Sequence, residues 1–294
     1  MLIARLIADP DECETRLGTL TAALAEAGMP LAAAALPADD DNVLELQFDG
    51  DDVPAVLAAI DTAFPPSAML VAHGAIQVPR LFVSDMDSTM IGQECIDELA
   101  DYAGLKPQIA AITERAMQGE LDFEAALRER VALLAGLAES AIGDCLRERI
   151  APTPGAATLV ATLSALGTRT VLVTGGFHHF ADPVGALLGF HRVVGNRLGV
   201  EGGKLTGGLV GPITDSAVKA AVLREELAGM DEDAHSLATG DGANDIPMIE
   251  AATYGFAYRA KPKARAAANG RVDSDDLTAV LRLLGIPRDQ WQVV

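Results

Sequence analysis

Residues 81–91 read LFVSDMDSTMI and set two aspartates one residue apart directly after an apolar run. The Asp-x-Asp spacing alone carries little, because it recurs at Asp9/Asp11, Asp39/Asp41, Asp49/Asp51, Asp231/Asp233 and Asp273/Asp275. Those pairs sit in polar or turn-rich surroundings, where solvated carboxylates cost nothing. Asp85 and Asp87 instead follow Leu81, Phe82 and Val83, which predicts a buried strand running into a loop. Charges at the end of a buried strand are expensive unless something pairs them. In open α/β sheets the carboxyl ends of the strands are also where ligands bind.

Outward from this strand, RTVLVT (169–174), HSLAT (235–239) and YGFAY (254–258) are further short β-rich runs separated by helical stretches. This alternation predicts an α/β fold: a Rossmann-like, mostly parallel sheet with helices on both faces. From Gly92 to about Ala165 the pattern is almost wholly helical, broken at 104–107, at Gly119 and at 152–155, so it reads as an insertion after the first core strand. Residues 1–75 form a small α+β unit, with LIARLIA and VLELQF as strands and 11–28 and 52–63 as helices. ADDDN (38–42) marks the turn before the second of those strands, and its acidic run is a solvated loop. The division is thus 1–75, a core of 78–91 with 165–294, and a helical cap of 92–164. GVEGGKLTGGL is a glycine-rich hairpin. It is no nucleotide-binding P-loop, because Leu198 stands where the first glycine is required and Leu205, not Ser or Thr, follows the lysine.

Composition limits the function. The net charge of −20 over 294 residues argues against a nucleic-acid or anionic-membrane surface, which would need basic clusters. An anionic substrate must therefore be held by a few placed cations or a metal. Half of the residues are apolar and the mean hydropathy is +0.24, so the chain folds around an ample core. Three separated cysteines, Cys13, Cys95 and Cys145, make neither a disulfide framework nor a thiolate zinc site. The N-terminal apolar stretch is too short for a signal peptide, and no run approaches the ~20 apolar residues of a membrane span. A reducing cytoplasm is the expected location.

Polar residues of a matching kind close the other strands. Thr174 ends RTVLVT with a hydroxyl, and Gly175-Gly176 lets backbone N–H groups approach an anion. Asp241 follows HSLAT, with Asn244 and Asp245 one turn onward, an oxygen-rich set suited to Mg²⁺. Lys219 falls inside the apolar arc of its helix, with Val218, Val222, Leu223 and Leu227. Arg130 likewise falls in the stripe of Phe123, Leu127, Val131 and Leu134, while Arg128 points away. An arginine on an apolar face needs an anionic partner, and spacing leaves open whether that is protein or ligand. Glu94 sits at the start of the helix after DSTMIGQ, where a carboxylate also suits the helix dipole. His178-His179, without a third ligand nearby, does not read as a metal site, and Trp291 reads as a packing anchor.

At these residues the sequence resembles the haloacid dehalogenase superfamily of phosphohydrolases, and within it the phosphoserine-hydrolysing members. DMDST (85–89), TGG (174–176), Lys219 and GDGAND (240–245) occur in family order, and AMQGELDFEAALRERVALL (116–134) resembles the cap. The likeness covers about residues 78–270. It implies Mg²⁺-dependent hydrolysis of O-phospho-L-serine through an aspartyl phosphate, the last step of serine biosynthesis. Asp85 would be the nucleophile and Asp87 the proton carrier. Mg²⁺ would be held by Asp85, Asp241 and the main-chain carbonyl of Asp87, with Asp245 orienting that set. Thr174, Gly175, Lys219 and Asn244 would bind phosphoryl oxygens, Glu94 the substrate ammonium and Arg130 its carboxylate. Residues 1–75 weakly resemble small ACT-like domains, whose role stays open between serine binding, homodimerisation and packing.

Overall fold

The computed structural model describes the chain except residues 9, 27, 37–41, 65–67 and 118–119 and the side chains of 10–14 and 117. The ADDDN turn up to residue 41, Asp9 of the Asp9/Asp11 pair, the Cys13 side chain and the break at Gly119 therefore lie outside the described residues. The N-terminal unit runs β1 (Leu2–Ile7), α1 (Pro10–Glu26), β2 (Leu31–Ala35), β3 (Val43–Phe48), α2 (Val53–Ala63) and β4 (Met69–His73). Its strands lie in the order β2-β3-β1-β4, all antiparallel, which is the split βαβ arrangement. Two of these strands escape sequence reading. LAAAA of β2 is an alanine run, and alanine favours helix; MLVAH of β4 is short and continuous rather than alternating.

The C-terminal half begins at β5 (Leu81–Ser84) and continues, after the helical insert, through α7 (Ala156–Ala165), β6 (Arg169–Phe177), α8 (His178–Leu188) and β7 (Arg192–Asn196). A hairpin of β8 (Leu198–Glu201) and β9 (Lys204–Leu209) precedes α9 (Ser216–Leu227), β10 (Ser236–Gly240), α10 (Ile246–Ala251) and β11 (Tyr254–Tyr258). The chain ends with α11 (Pro262–Ala267), β12 (Gly270–Val272) and α12 (Thr278–Leu283). Strands β12-β11-β10-β5-β6-β7 are all parallel. Successive side chains of a strand face opposite sides. Accordingly Leu81 and Val83 pack with Val222, Leu223 and Met248, while Phe82 packs with Leu159, Phe180 and Leu281. Burial on both faces is why these strands read as continuous apolar runs.

The two halves form one ten-stranded sheet, because β4 pairs antiparallel with β12. Alternate residues of β4 serve two cores: Met69 and Val71 join the N-terminal one, Leu70 and Ala72 the C-terminal one. Arg271 on β12, 7% exposed, meets Asp61 of α2, and Arg265 donates to Asp61 Oδ1 at 2.9 Å.

The insert after β5 contains α3 (Cys95–Tyr102), α4 (Lys106–Met117), α5 (Phe123–Leu133) and α6 (Ser140–Arg149). Its two connections to the core lie side by side: Gly92 N–H donates to Ala151 O at 3.2 Å and Thr153 N–H to Met90 O at 2.9 Å. The β8–β9 hairpin braces it from the other side, with Leu205 N–H to Leu137 O and Gly136 N–H to Leu205 O both 2.8 Å. Helix α7, the last of the sequence-predicted helical block, packs on β6 and α8 of the sheet.

Candidate active site

Asp85 leaves the end of β5 beside the ends of β6 and β10, and its N–H donates to Thr239 O at 2.9 Å. Its carboxylate Oδ1 accepts from the Met86 N–H at 2.8 Å and lies 2.7 Å from Lys219 Nζ. The same ammonium donates to Asp245 Oδ1 at 2.6 Å. Lys219 is 1% exposed, so the inward arc read from its helix is where the side chain goes. Burial works against its charge, but Asp85 and Asp245 outweigh burial and hold the ammonium above the ordinary lysine value.

Asp241 closes β10, and oxygens of Asp85, Asp241 and Asp245, all buried, lie within 4.8 Å of one another. Asp245 Oδ2 accepts from the Gly242 N–H at 3.0 Å, and the tight turn leaves no room for a side chain at 240, where a Cβ would fall 2.4 Å from Asp245 Cγ. Asn244 Nδ2 reaches Asp245 Oδ1 at 3.5 Å. The buried ammonium pairs with two of these three carboxylates, Asp85 and Asp245, and among the described residues Asp241 has as ion-pair partner only Lys261, 3.4 Å from Oδ2 and 65% exposed. Burial first, then Asp245 and Glu94, push the Asp241 carboxyl to about 6 against the pull of Lys261. Asp85 is likewise pushed well up, by burial and by Asp245. An all-oxygen set with uncompensated negative charge fits a hard divalent cation.

Asp87 lies two residues on from Asp85. Its Oδ1 accepts from the Cys95 N–H at 3.0 Å, and Thr174 Oγ1 donates toward Oδ2 at 3.5 Å. Burial and then Glu94 push this carboxyl up to about 6, a value at which one group can both give and take a proton near neutrality. Thr174, 1% exposed, also accepts the Gly176 N–H at 2.9 Å. Position 176 must be glycine for steric reasons, since a Cβ would sit 2.7 Å from Asp87 Oδ2.

The insert supplies the roof. Glu94, at the N-cap position of α3, makes no capping bond; its Oε1 instead accepts from Ser88 Oγ at 2.9 Å. Arg130 is half-buried, and its Nε donates only a long bond to Ala126 O at 3.4 Å. Among the described residues no carboxylate lies within 4.0 Å of it, whereas Arg128 pairs with Glu124 on the outer face. Burial draws the Arg130 guanidinium below its ordinary value against the pull of Asp97, Glu94 and Asp87. Glu94 and Arg130 line one cavity of about 200 Å³ with Asp85, Asp87, Thr174, Gly175, Asp241 and Asn244. Lys219 and Asp245 lie outside its lining; Lys219 reaches it through Asp85, and Asp245 is bonded to Lys219.

Two lining residues depart from the sequence reading. Phe123, placed there on the buried stripe with Leu127, Val131 and Leu134, is 40% exposed at the cavity, and a Cβ on Gly175 would lie 3.3 Å from its ring. It is the first residue of α5, with no preceding turn to cover it. Lys261 was not visible as a site residue; the one local signal was Lys-Pro after a strand, which turns the chain back toward the sheet end. Trp291 packs against the core as the anchor its position predicts, with Nε1 donating to Ile286 O at 2.9 Å, and His178 Nδ1 lies 2.7 Å from Asp182 Oδ1.

Comparison with known proteins places this site in a family. A model of haloacid dehalogenase-like hydrolases matches residues 82–250. The chain is 44% identical over 210 residues to a phosphoserine phosphatase of Albidiferax ferrireducens, covering 69% of this chain and 89% of that one. It is 44% identical over 212 residues to a phosphoserine phosphatase of Streptomyces coelicolor, covering 72% of this chain but only 52%, about half, of the relative. A solved HAD-family hydrolase of Salmonella enterica serovar Typhi superposes with a TM-score of 0.81 at 26% identity, covering 97% of this chain and 99% of that one. The N-terminal unit and the core thus recur together in one known fold. With its family model spanning the strand-end aspartates, the lysine and the oxygen cluster, the chain belongs to the haloacid dehalogenase-like hydrolases.

Proposed function

We propose that the chain hydrolyses O-phospho-L-serine to L-serine and phosphate. The observation that carries this reading is Arg130, a half-buried guanidinium without an ion pair among the described residues, facing the cavity of Asp85 and Asp87. A substrate carboxylate would satisfy it, Glu94 would take the ammonium, and two relatives of this chain bear the name phosphoserine phosphatase.

An Asp85 carboxylate oxygen attacks phosphorus, and the bond from phosphorus to the serine oxygen breaks, with Asp87 giving its proton to that oxygen. Asp87 then takes a proton from water as the water attacks the aspartyl phosphate, which frees Asp85 and phosphate. Thr174, the Gly175 N–H, Lys219 and Asn244 bind phosphoryl oxygens. Asp85, Asp241 and the Asp87 main-chain carbonyl would hold Mg²⁺, with Asp245 orienting them; the cation would screen the repulsion between carboxylate and phosphate. The reading divides the chain into the N-terminal unit of 1–75, the core and the helical cap, with α7 counted to the core on whose strand β6 it packs rather than to a cap of 92–164, and it places the reaction at the end of serine biosynthesis.

A panel of phosphate monoesters tests it, assayed with Mg²⁺, with EDTA, and with added alcohol acceptors. Phosphoserine should give the highest kcat/KM, EDTA should abolish turnover, and Mg²⁺ should restore it. Full activity in EDTA, a better substrate without an amino acid head, or transfer to alcohols in preference to water would overturn the reading.

A further inference from the structure

Lys261 stands where no motif places a residue, at a junction that the surrounding backbone builds deliberately. Strand β11 ends at Tyr258, Arg259 takes a left-handed conformation at φ 41°, and Lys261 then caps α11 with Pro262 behind it. Proline restricts the residue before it to extended backbone, and Lys261 has φ −60° and ψ 151°. In that pose its N–H donates to Asp241 O at 2.9 Å, so the loop after β11 is fastened to the loop after β10. The ammonium of the same residue comes back to 3.4 Å from Asp241 Oδ2.

Three cations stand at the cavity or just under it, and they differ in how firmly they are committed. Lys219 is fully buried and bonded to both Asp85 and Asp245, and Arg130 belongs to the roof. Lys261 lines the cavity beside Asn244 and Asp241, makes one loose ion pair, and has its side chain 65% exposed. With its ammonium mostly in solvent, that pair holds less firmly than the doubly bonded Lys219. Once a divalent cation takes the Asp241 carboxylate, the lysine loses most of the attraction that holds it there. A phosphate dianion seated against Asp85 is then the strongest anion within reach of its four-carbon stem.

We propose that Lys261 is a further anion-binding residue of the active site, released from Asp241 to contact the phosphate dianion, whether as the phosphoryl group of the substrate or as free product. The inference rests on the phosphatase reading above. Calorimetric titration of the full chain with inorganic phosphate in Mg²⁺ tests it directly, alongside KM for phosphoserine. Lys261→Ala and Lys261→Gln should weaken orthophosphate binding about fivefold to tenfold, with Lys261→Arg close to wild type. A rise in KM as well assigns the contact to the substrate phosphoryl, and a change in orthophosphate binding alone assigns it to the product. Lys263→Ala, which removes an equal charge from the exposed face of the same helix, should leave both unchanged. Unaltered phosphate affinity in Lys261→Ala would overturn the inference, as would equal losses in Lys261→Ala and Lys263→Ala. A wild type that binds neither phosphoserine nor orthophosphate would remove the phosphatase reading and this inference with it.

Discussion

The antiparallel and parallel halves of one sheet treat buried polarity in opposite ways. Among the described residues, every buried polar or charged side chain follows residue 80, from Ser84 to Arg271, and the N-terminal core of Leu2, Leu6, Leu20, Phe48 and Ile60 is wholly apolar. Buried charge is costly without partners. The catalytic half carries that cost at three adjacent strand ends, where Asp85, Thr174 and Asp241 converge. Its one buried charge remote from the site, Arg271, lies at the seam and is met by Asp61 of the N-terminal half. The contrast assigns chemistry to one half and, to the other, cover for the edge of β12 and a share of its core through Leu70 and Ala72.

Substitutions at the strand ends should break the contrast most severely. Asp85→Asn should lower turnover by about 10⁴-fold or more while the protein stays folded, since it removes one of three crowded carboxylates and keeps the shape. Asp87→Asn should slow both displacement steps by about 10²-fold or more. Steady-state kinetics with circular dichroism decides between lost chemistry and lost fold, and near-normal rates in either variant would move the chemistry elsewhere.

The roof comes next. Arg130→Ala should lower kcat/KM for phosphoserine by about 10- to 150-fold, corresponding to roughly 1.5–3 kcal/mol, and should spare phosphoethanolamine, which lacks the carboxylate. Lysine at 130 should rescue only in part, because it cannot form the bidentate fork. With no carboxylate of the described residues paired to Arg130, Tm should hardly change. Equal losses on both substrates together with a lower Tm would make Arg130 a structural residue instead.

The seam should show the smallest effect on catalysis and a clear one on stability. Asp61→Ala leaves Arg271 without its partner and should cost about 1–3 kcal/mol, a Tm loss of roughly 2–10 °C, with kcat unchanged. A chain beginning at Val78 keeps every proposed site residue but loses Ala68, Leu70 and Ala72 from the catalytic core. It should turn over normally per folded molecule and unfold at lower temperature. A stable but inactive truncation would give the N-terminal half a part in the chemistry.

These differences also explain what could be read from the sequence. Strand-end residues were legible because a charged or hydroxyl side chain after a buried run is a local contradiction, and Asp85, Thr174 and Asp241 each present one. The inward aim of Lys219 followed from helical periodicity. The seam was illegible, since β12 has three residues and its pairing with β4 joins segments some two hundred positions apart. The exposure of Phe123 escaped because periodicity gives a face of the helix but not where the helix stops being covered. Lys261 escaped because its role depends on Asp241, a neighbour brought to it by the parallel pairing of β10 with β11.

The central claim is that Asp85 is the group that receives phosphate. Wild-type protein mixed with phosphorus-labelled phosphoserine and Mg²⁺, quenched in acid within a turnover and digested, should carry label on the peptide containing Asp85. That label should survive acid and be released by hydroxylamine, as an acyl phosphate is, and Asp85→Asn should carry none. Label on another residue, or undiminished label in Asp85→Asn, would contradict the account.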